Sequence, residues 1–175
     1  VGLHFKRQHV HGVVVTGGEP TLQPDLFGYL SRLKEEGYAV KLDTNGYRPD
    51  VMKEAVRSGL VDYIAMDIKN SLGRYAVTAG LPGLDTSLIE ESIGYLLEGH
   101  VPYELRTTVV HELHSDEDFE EIGQMCRGAA SFYLQTFSDS GDIIGKNFTP
   151  PSAEDMERYI RILRKTIGNV SLRDR

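Results

Sequence analysis

Cys126 is the only cysteine in the chain, so no intrachain disulfide can form and nothing points to an oxidising compartment. Positive charge is scarce as well, with 19 Lys plus Arg against 26 acids and a formal net charge of -7. No run of Lys or Arg occurs, which argues against a nucleic-acid-coating surface while leaving room for a local basic pocket. No apolar stretch approaches the length of a membrane span, and no apolar signal segment precedes the first strand-like run. Neither a nucleic-acid nor a membrane partner is therefore expected, and a cytoplasmic setting is. Internal repeats and low-complexity tracts are lacking too. What is present is 40% hydrophobic and 26% charged over 175 residues, an ordinary globular composition long enough for one core. A single domain over residues 1–175 is expected. Because the chain begins with Val1 and residues 1–11 read as the polar tail of an element that starts elsewhere, the expectation includes an N-terminal truncation.

Strand-like and helix-like segments alternate from end to end. Residues 12–16, 38–43, 60–68, 103–110, 131–137 and 170–173 read as strands by their β-branched and apolar content. Between them, Pro24 precedes a helical face of Leu26, Leu30 and Leu33 that stops at Gly37. Pro49 opens a second helix carrying Met52, Ala55 and Val56. Thr86 or Ser87 can cap a third with Ile89, Ile93 and Leu96 as its stripe, while Ser115 and Ser152 cap two more. Stretches 70–85 and 138–149 read as loops. Consecutive βα units with right-handed crossovers imply a parallel sheet, and five or six strands in one array imply an open or partial barrel of the α/β class.

The most informative stretch is Val13-Val14-Val15-Thr16-Gly17-Gly18-Glu19-Pro20. A buried-strand run opens directly into a glycine pair that lets bare backbone approach a ligand, and Glu19 follows where parallel sheets bind theirs. The pair taken alone could be only a tight connection. The same strand end carries Asp43-Thr44-Asn45-Gly46 after the second strand, Asp67-Ile68-Lys69 after the third, and Arg106 and Gln135 on the fourth and fifth. Asn45-Gly46 is singly a common turn pair, and Asp67 with Lys69 could be an ordinary same-face ion pair. Polar residues at successive strand ends above apolar strand bodies are harder to explain by turns. His111-Glu112-Leu113-His114 lacks the two-residue gap of the metalloprotease helix motif and follows a strand, which disfavours a metal there.

Gly-Gly-Glu-Pro, Asp-Thr-Asn-Gly, Asp-x-Lys and Leu105-Arg106-Thr107-Thr108-Val109-Val110, in that order, resemble the radical S-adenosylmethionine enzymes, specifically the activating enzymes of glycyl-radical enzymes. The branch acting on anaerobic ribonucleotide reductase looks most similar, with pyruvate formate-lyase activating enzymes nearby. The resemblance implies a partial (β/α)6 barrel whose first βα unit is missing here. It implies that Gly17, Gly18 and Glu19 bind the amino group of S-adenosylmethionine, for which carbonyls and a carboxylate are suitable acceptors. Asp43, Thr44 and Asp67 would lie beside the methionine carboxylate and could hold a monovalent cation, since carboxylates so close repel one another. Lys69 and Arg106 would reach that carboxylate or the sulfonium surroundings. Asn45 and Gly46 would shape the wall, and Gln135, a glutamine on a strand, could as easily satisfy backbone groups.

The family also implies a [4Fe-4S] cluster on a CxxxCxxC loop, which is not in this sequence. Cys126, expected half-buried on the helix after the fourth strand, cannot replace three thiolates. No catalytic residue is therefore assigned within the chain, and activity of this polypeptide as it stands is not expected. The full-length form would cleave S-adenosylmethionine reductively to a 5′-deoxyadenosyl radical that takes hydrogen from a glycine of a partner enzyme, anaerobic ribonucleotide reductase or a relative. Its electron donor would be a flavodoxin or ferredoxin. Alternatives are a non-catalytic cofactor-pocket or partner-binding module and a radical enzyme acting on another substrate. A phosphate-binding βα barrel is disfavoured by the acidic stretch 138–145.

Overall fold

A computed structural model describes residues 11–138 and 147–173. His4, His9 and most of the N-terminal tail lie outside the described residues, as does the centre of the 138–149 stretch, residues 139–146. Six parallel strands form one sheet in the order β1-β2-β3-β4-β5-β6. They are β1 (Gly12–Val15), β2 (Ala39–Thr44), β3 (Tyr63–Asp67), β4 (Tyr103–Val109), β5 (Phe132–Thr136) and β6 (Val170–Leu172). Parallel neighbours cannot be joined by hairpins, so each connection must cross over. Helices α1 (Leu26–Glu35), α2 (Pro49–Arg57), α3 (Leu72–Ala79), α4 (Thr86–Leu97), α5 (Asp116–Met125) and α6 (Ala153–Leu163) supply these crossovers. The sheet stays open, because β1 and β6 each pair with a single strand among the described residues.

Period-two alternation divides the strands into two faces. Val40, Leu42, Ile64, Met66, Leu105, Phe132 and Leu134 are buried against Leu30, Leu33, Met52, Ile93, Phe119 and Leu163 of the helices. Each such side chain contributes about 1.5–3 kcal/mol of burial. The other face carries Lys41, Asp43, Tyr63, Asp67, Glu104, Arg106 and Tyr133, a row of charge and phenol that none of the described helices covers.

Helix α3 corrects the expectation of a plain loop over 70–85. Tyr75, 1% exposed, is its one buried residue, and a single anchor leaves no period to read. The cap of α4 is Asp85, which accepts from Ser87 N at 3.0 Å, rather than Thr86 or Ser87. Ser115 and Ser152 do cap α5 and α6, each closing a capping box with Asp118 or Asp155. Cys126, at the end of α5, is fully buried rather than half-buried, and burial pushes its thiol pKa well up.

Candidate functional site

The strand-end turns are tied together by Glu19. Its Oε1 accepts from Thr21 N (3.1 Å), Thr21 Oγ1 (2.6 Å) and Thr44 Oγ1 (2.9 Å), while Oε2 accepts from Asn45 N at 2.7 Å. The carboxylate thus fastens the β1 turn to the β2 turn and caps the short 3-10 turn Pro20–Leu22. Gly17 just before it has φ +142, a conformation L side chains rarely adopt, and a Cβ at Gly17 or Gly18 would meet nothing within 4 Å. Bare backbone therefore faces open space. Asn45 Oδ1 accepts from Tyr47 N at 2.9 Å, so the turn reading of Asn45-Gly46 also holds. Gly46 has φ +76, and a Cβ there would lie 2.0 Å from Met66 Cε.

Beyond β3 the chain runs as a fixed ledge. Tyr75 Oη donates to Asp67 O (3.2 Å), Thr107 Oγ1 to Ile68 O (2.8 Å), and His114 Nε2 lies 2.9 Å from Lys69 O. Three successive carbonyls that leave the ladder are satisfied by side chains from α3, β4 and the segment after β4. His114 is buried, and its Nδ1 takes Val110 N at 3.1 Å. That arrangement defines the neutral, Nε2-protonated ring, and burial holds its pKa below the ordinary value. His114 thus clamps the end of β3 to the segment after β4.

Charged side chains meet on the uncovered face. Arg106 Nε donates to Asp67 Oδ1 at 2.9 Å and Nη1 to Asp43 Oδ2 at 3.3 Å, and Lys69 Nζ reaches Asp67 Oδ2 at 3.3 Å. One layer lower, Glu104, with its side chain 4% exposed, receives Lys41 Nζ at 2.9 Å and both Arg173 nitrogens at 2.5 and 2.8 Å. Burial works to raise the Glu104 pKa, but Arg173 and Lys41 outweigh it and hold the carboxyl at about 2. Burial likewise opposes the Arg106 charge, and Asp67 and Asp43 keep its pKa raised. Asp43 Oδ1 is buried with no hydrogen-bond partner among the described residues, Lys41 Nζ standing 3.9 Å away.

Gly17, Gly18, Glu19, Asp43, Thr44, Asn45, Asp67, Lys69 and Arg106 all line one cavity of about 210 Å³. Gln135 is not among its lining residues. A larger hollow between α3, α4 and α5, lined by Leu72, Ile93, Leu97 and Met125 together with Glu90 and Glu121, lies on the helix side and contains none of the candidate residues. Two candidate residues also have structural roles: Glu19 accepts four turn donors, three on Oε1 and one on Oε2, and Thr44 points to the helix side, bonded to Glu19 and accepting from Gly46 N at 3.1 Å. The expected cation site gains no support here. Arg106 bridges Asp43 and Asp67, the Thr44 hydroxyl is spent on Glu19 and Gly46, and the described residues contain no group of three or more His, Cys, Asp or Glu that could hold a metal ion.

Lys41, Glu104 and His114 were missed as parts of the site. Lys41 and Glu104 share the period-two face of Asp43 and Arg106, a signal readable once the strands are assigned. His114 carries none, because its link to Lys69 depends on the fold.

The chain belongs to the radical SAM superfamily, which matches residues 2–126. A Methanocaldococcus jannaschii protein named "Putative glycyl-radical enzyme activating enzyme" is 33% identical over 167 residues, covering 92% of this chain and 70% of its own. A 7-carboxy-7-deazaguanine synthase of Thermococcus kodakarensis is 30% identical over 127 residues, and this chain covers 48% of it. Among solved structures, a domain of pyruvate-formate lyase-activating enzyme from Bacteroides vulgatus aligns with TM-score 0.74 at 21% identity, over 93% of this chain and 98% of that one. A radical SAM methyltransferase from Sphaerobacter thermophilus aligns with TM-score 0.75 at 19% identity, over 94% and 51%. These likenesses are of fold.

The superfamily implies S-adenosylmethionine and a [4Fe-4S] cluster. The cavity suits the methionine end of the first: open glycine backbone and the orphaned Asp43 Oδ1 can accept from an ammonium, and Lys69 and Arg106 can donate to a carboxylate. The cluster is not matched by donors within these residues, since Cys126 is buried in the helix-side core. None of the described helices is long and apolar enough to cross a membrane.

Proposed function

We propose that the cavity at the β1–β4 strand ends binds S-adenosylmethionine, and that the protein acts in activating a glycyl-radical enzyme. The convergence of nine separately placed polar and glycine residues on one cavity carries this reading. In it, the backbone of Gly17 and Gly18 and Asp43 Oδ1 hold the ammonium, while Lys69 and the free N–H groups of Arg106 hold the carboxylate. Glu19 and Thr44 keep the two turns in register, and the carbonyl-capped ledge fixes where Lys69 and Asp67 stand. A cluster bound by cysteines outside these residues would supply the electron that cleaves the cofactor.

The 33% identity to the M. jannaschii protein favours a glycyl-radical enzyme as partner, and the motif resemblance favours anaerobic ribonucleotide reductase, with a flavodoxin or ferredoxin as electron donor. The deazaguanine-synthase relative makes a radical reaction on a small substrate the second reading. Calorimetric titration with S-adenosylmethionine tests the pocket. The wild type is expected to bind, Lys69→Gln to bind at least about tenfold more weakly, and the remote Lys165→Gln to match the wild type. Equal heats in all three, or none in the wild type, defeat the assignment.

A further inference from the structure

The charge on the uncovered face of the sheet is balanced from within. Three carboxylates, Asp43, Asp67 and Glu104, meet four cations, Lys41, Lys69, Arg106 and Arg173, through seven contacts of 4 Å or less. Arg106 is at the centre. It stands directly opposite Asp67 in the β3–β4 register, touches Asp43 and Asp67, and lies 3.9 Å from Glu104. Its side chain is 13% exposed, so it is held inside the network rather than swinging in solvent. Thr44, the neutral oxygen a cation would need beside these carboxylates, has its hydroxyl turned to the other face and spent on Glu19 and Gly46.

We infer that Arg106 is the resident counter-charge of the Asp43–Asp67 pair, and that the cavity takes an amino-acid-like zwitterion without help from a monovalent cation. A guanidinium suits this role because its planar fork reaches two carboxylates at once and keeps its charge when partly desolvated. With Arg106 bridging Asp43 and Asp67, the pair offers a metal ion no uncompensated charge to neutralise. Only the identity of the ligand rests on the S-adenosylmethionine reading; the compensation of Asp43 and Asp67 does not.

Melting temperatures of the full chain in potassium, sodium and choline chlorides at matched ionic strength test this without ligand. The wild type is expected to melt alike in all three. Arg106→Gln leaves two facing carboxylates uncompensated, and is expected to melt about 2–4 °C higher in potassium or sodium than in choline. Arg106→Lys, which restores a charge, should return to salt indifference. A potassium- or sodium-specific rise in the wild type overturns the inference, and so does an Arg106→Gln protein indifferent to the cation. Should Arg106→Gln fail to fold, the Asp67→Asn/Arg106→Gln pair decides: recovery with cation-independent melting supports charge compensation, and continued failure overturns it. Loss of S-adenosylmethionine binding would sink the ligand assignment while leaving these melting curves intact.

Discussion

Gly46→Ala tests whether the turn after β2 is built for a missing side chain. At φ +76 an alanine carries about 1–2 kcal/mol of left-handed strain. Its Cβ would also sit 2.0 Å from Met66 Cε, 2.9 Å from Sδ and 3.3 Å from Cγ. A methionine terminus can move, but Met66 is 0% exposed, and pushing it into a packed core costs about 1–3 kcal/mol. Together these give roughly 2–5 kcal/mol, a fall in melting temperature of roughly 5–15 °C for a domain of this size. Met66→Ala leaves a hole and is itself destabilising by about 2–5 kcal/mol. It removes the clash, however, so adding Gly46→Ala to it should cost only the backbone share. A double-mutant cycle followed by thermal melts should therefore show coupling of at least about 1 kcal/mol. If Gly46→Ala melts within about 2 °C of the wild type, or the two changes simply add, the close approach is not what makes this position glycine.

Glu104, its pKa depressed to about 2 from 4.5, contributes stability that is full above pH 4.5 and disappears as pH falls through about 2. The difference is roughly 3 kcal/mol, so acid melts of Glu104→Gln should lack that part of the wild-type decline, and parallel curves would refute it. His114, with its pKa lowered by burial, contributes fully above its ordinary pKa of about 6.5 and less as pH drops below that value. The wild-type melting temperature should slope downward there, and an unchanged slope in His114→Gln would show the clamp is not what titrates. Cys126, buried with a raised thiol pKa, should resist a thiol reagent until the protein unfolds; rapid labelling of the native chain would contradict its burial.

The parallel α/β order was legible because crossovers leave a strong rhythm of helix period against apolar strand runs. Capping serines were legible because Ser115 and Ser152 are followed at the third position by Asp118 and Asp155, which reach back to the cap. Helix α3 was not, since Tyr75 alone anchors it and no stripe forms. Eight of the nine cavity residues could be read because they sit at or just beyond a strand end, and strand ends of a parallel sheet gather at one edge whatever the sheet's curvature; Arg106 lies mid-strand in β4 and reaches the cavity with its long side chain.

Roles within the site depend on something the sequence does not encode locally, namely which side chains reach across strands. Asp67 and Arg106 are 39 positions apart and become direct neighbours only through the register of β3 with β4. Read along single strands, Asp43 and Asp67 are two unshielded carboxylates, and a bound cation is the natural inference. Register supplies Arg106 instead, from the same strand that supplies Glu104 two residues earlier. Glu19 likewise has a role that needs the fold to be seen: a carboxylate in a glycine turn reads as a ligand to an ammonium, and four donors from Thr21, Thr44 and Asn45 also make it the tie between two turns. Removing Glu19 should therefore lower the melting temperature before any ligand is added, whereas removing Lys69, half-buried and bonded through its side chain to Asp67 alone among the described residues, should weaken ligand binding and leave the melt nearly unchanged. That contrast separates the residues that build the cavity from those that face its contents.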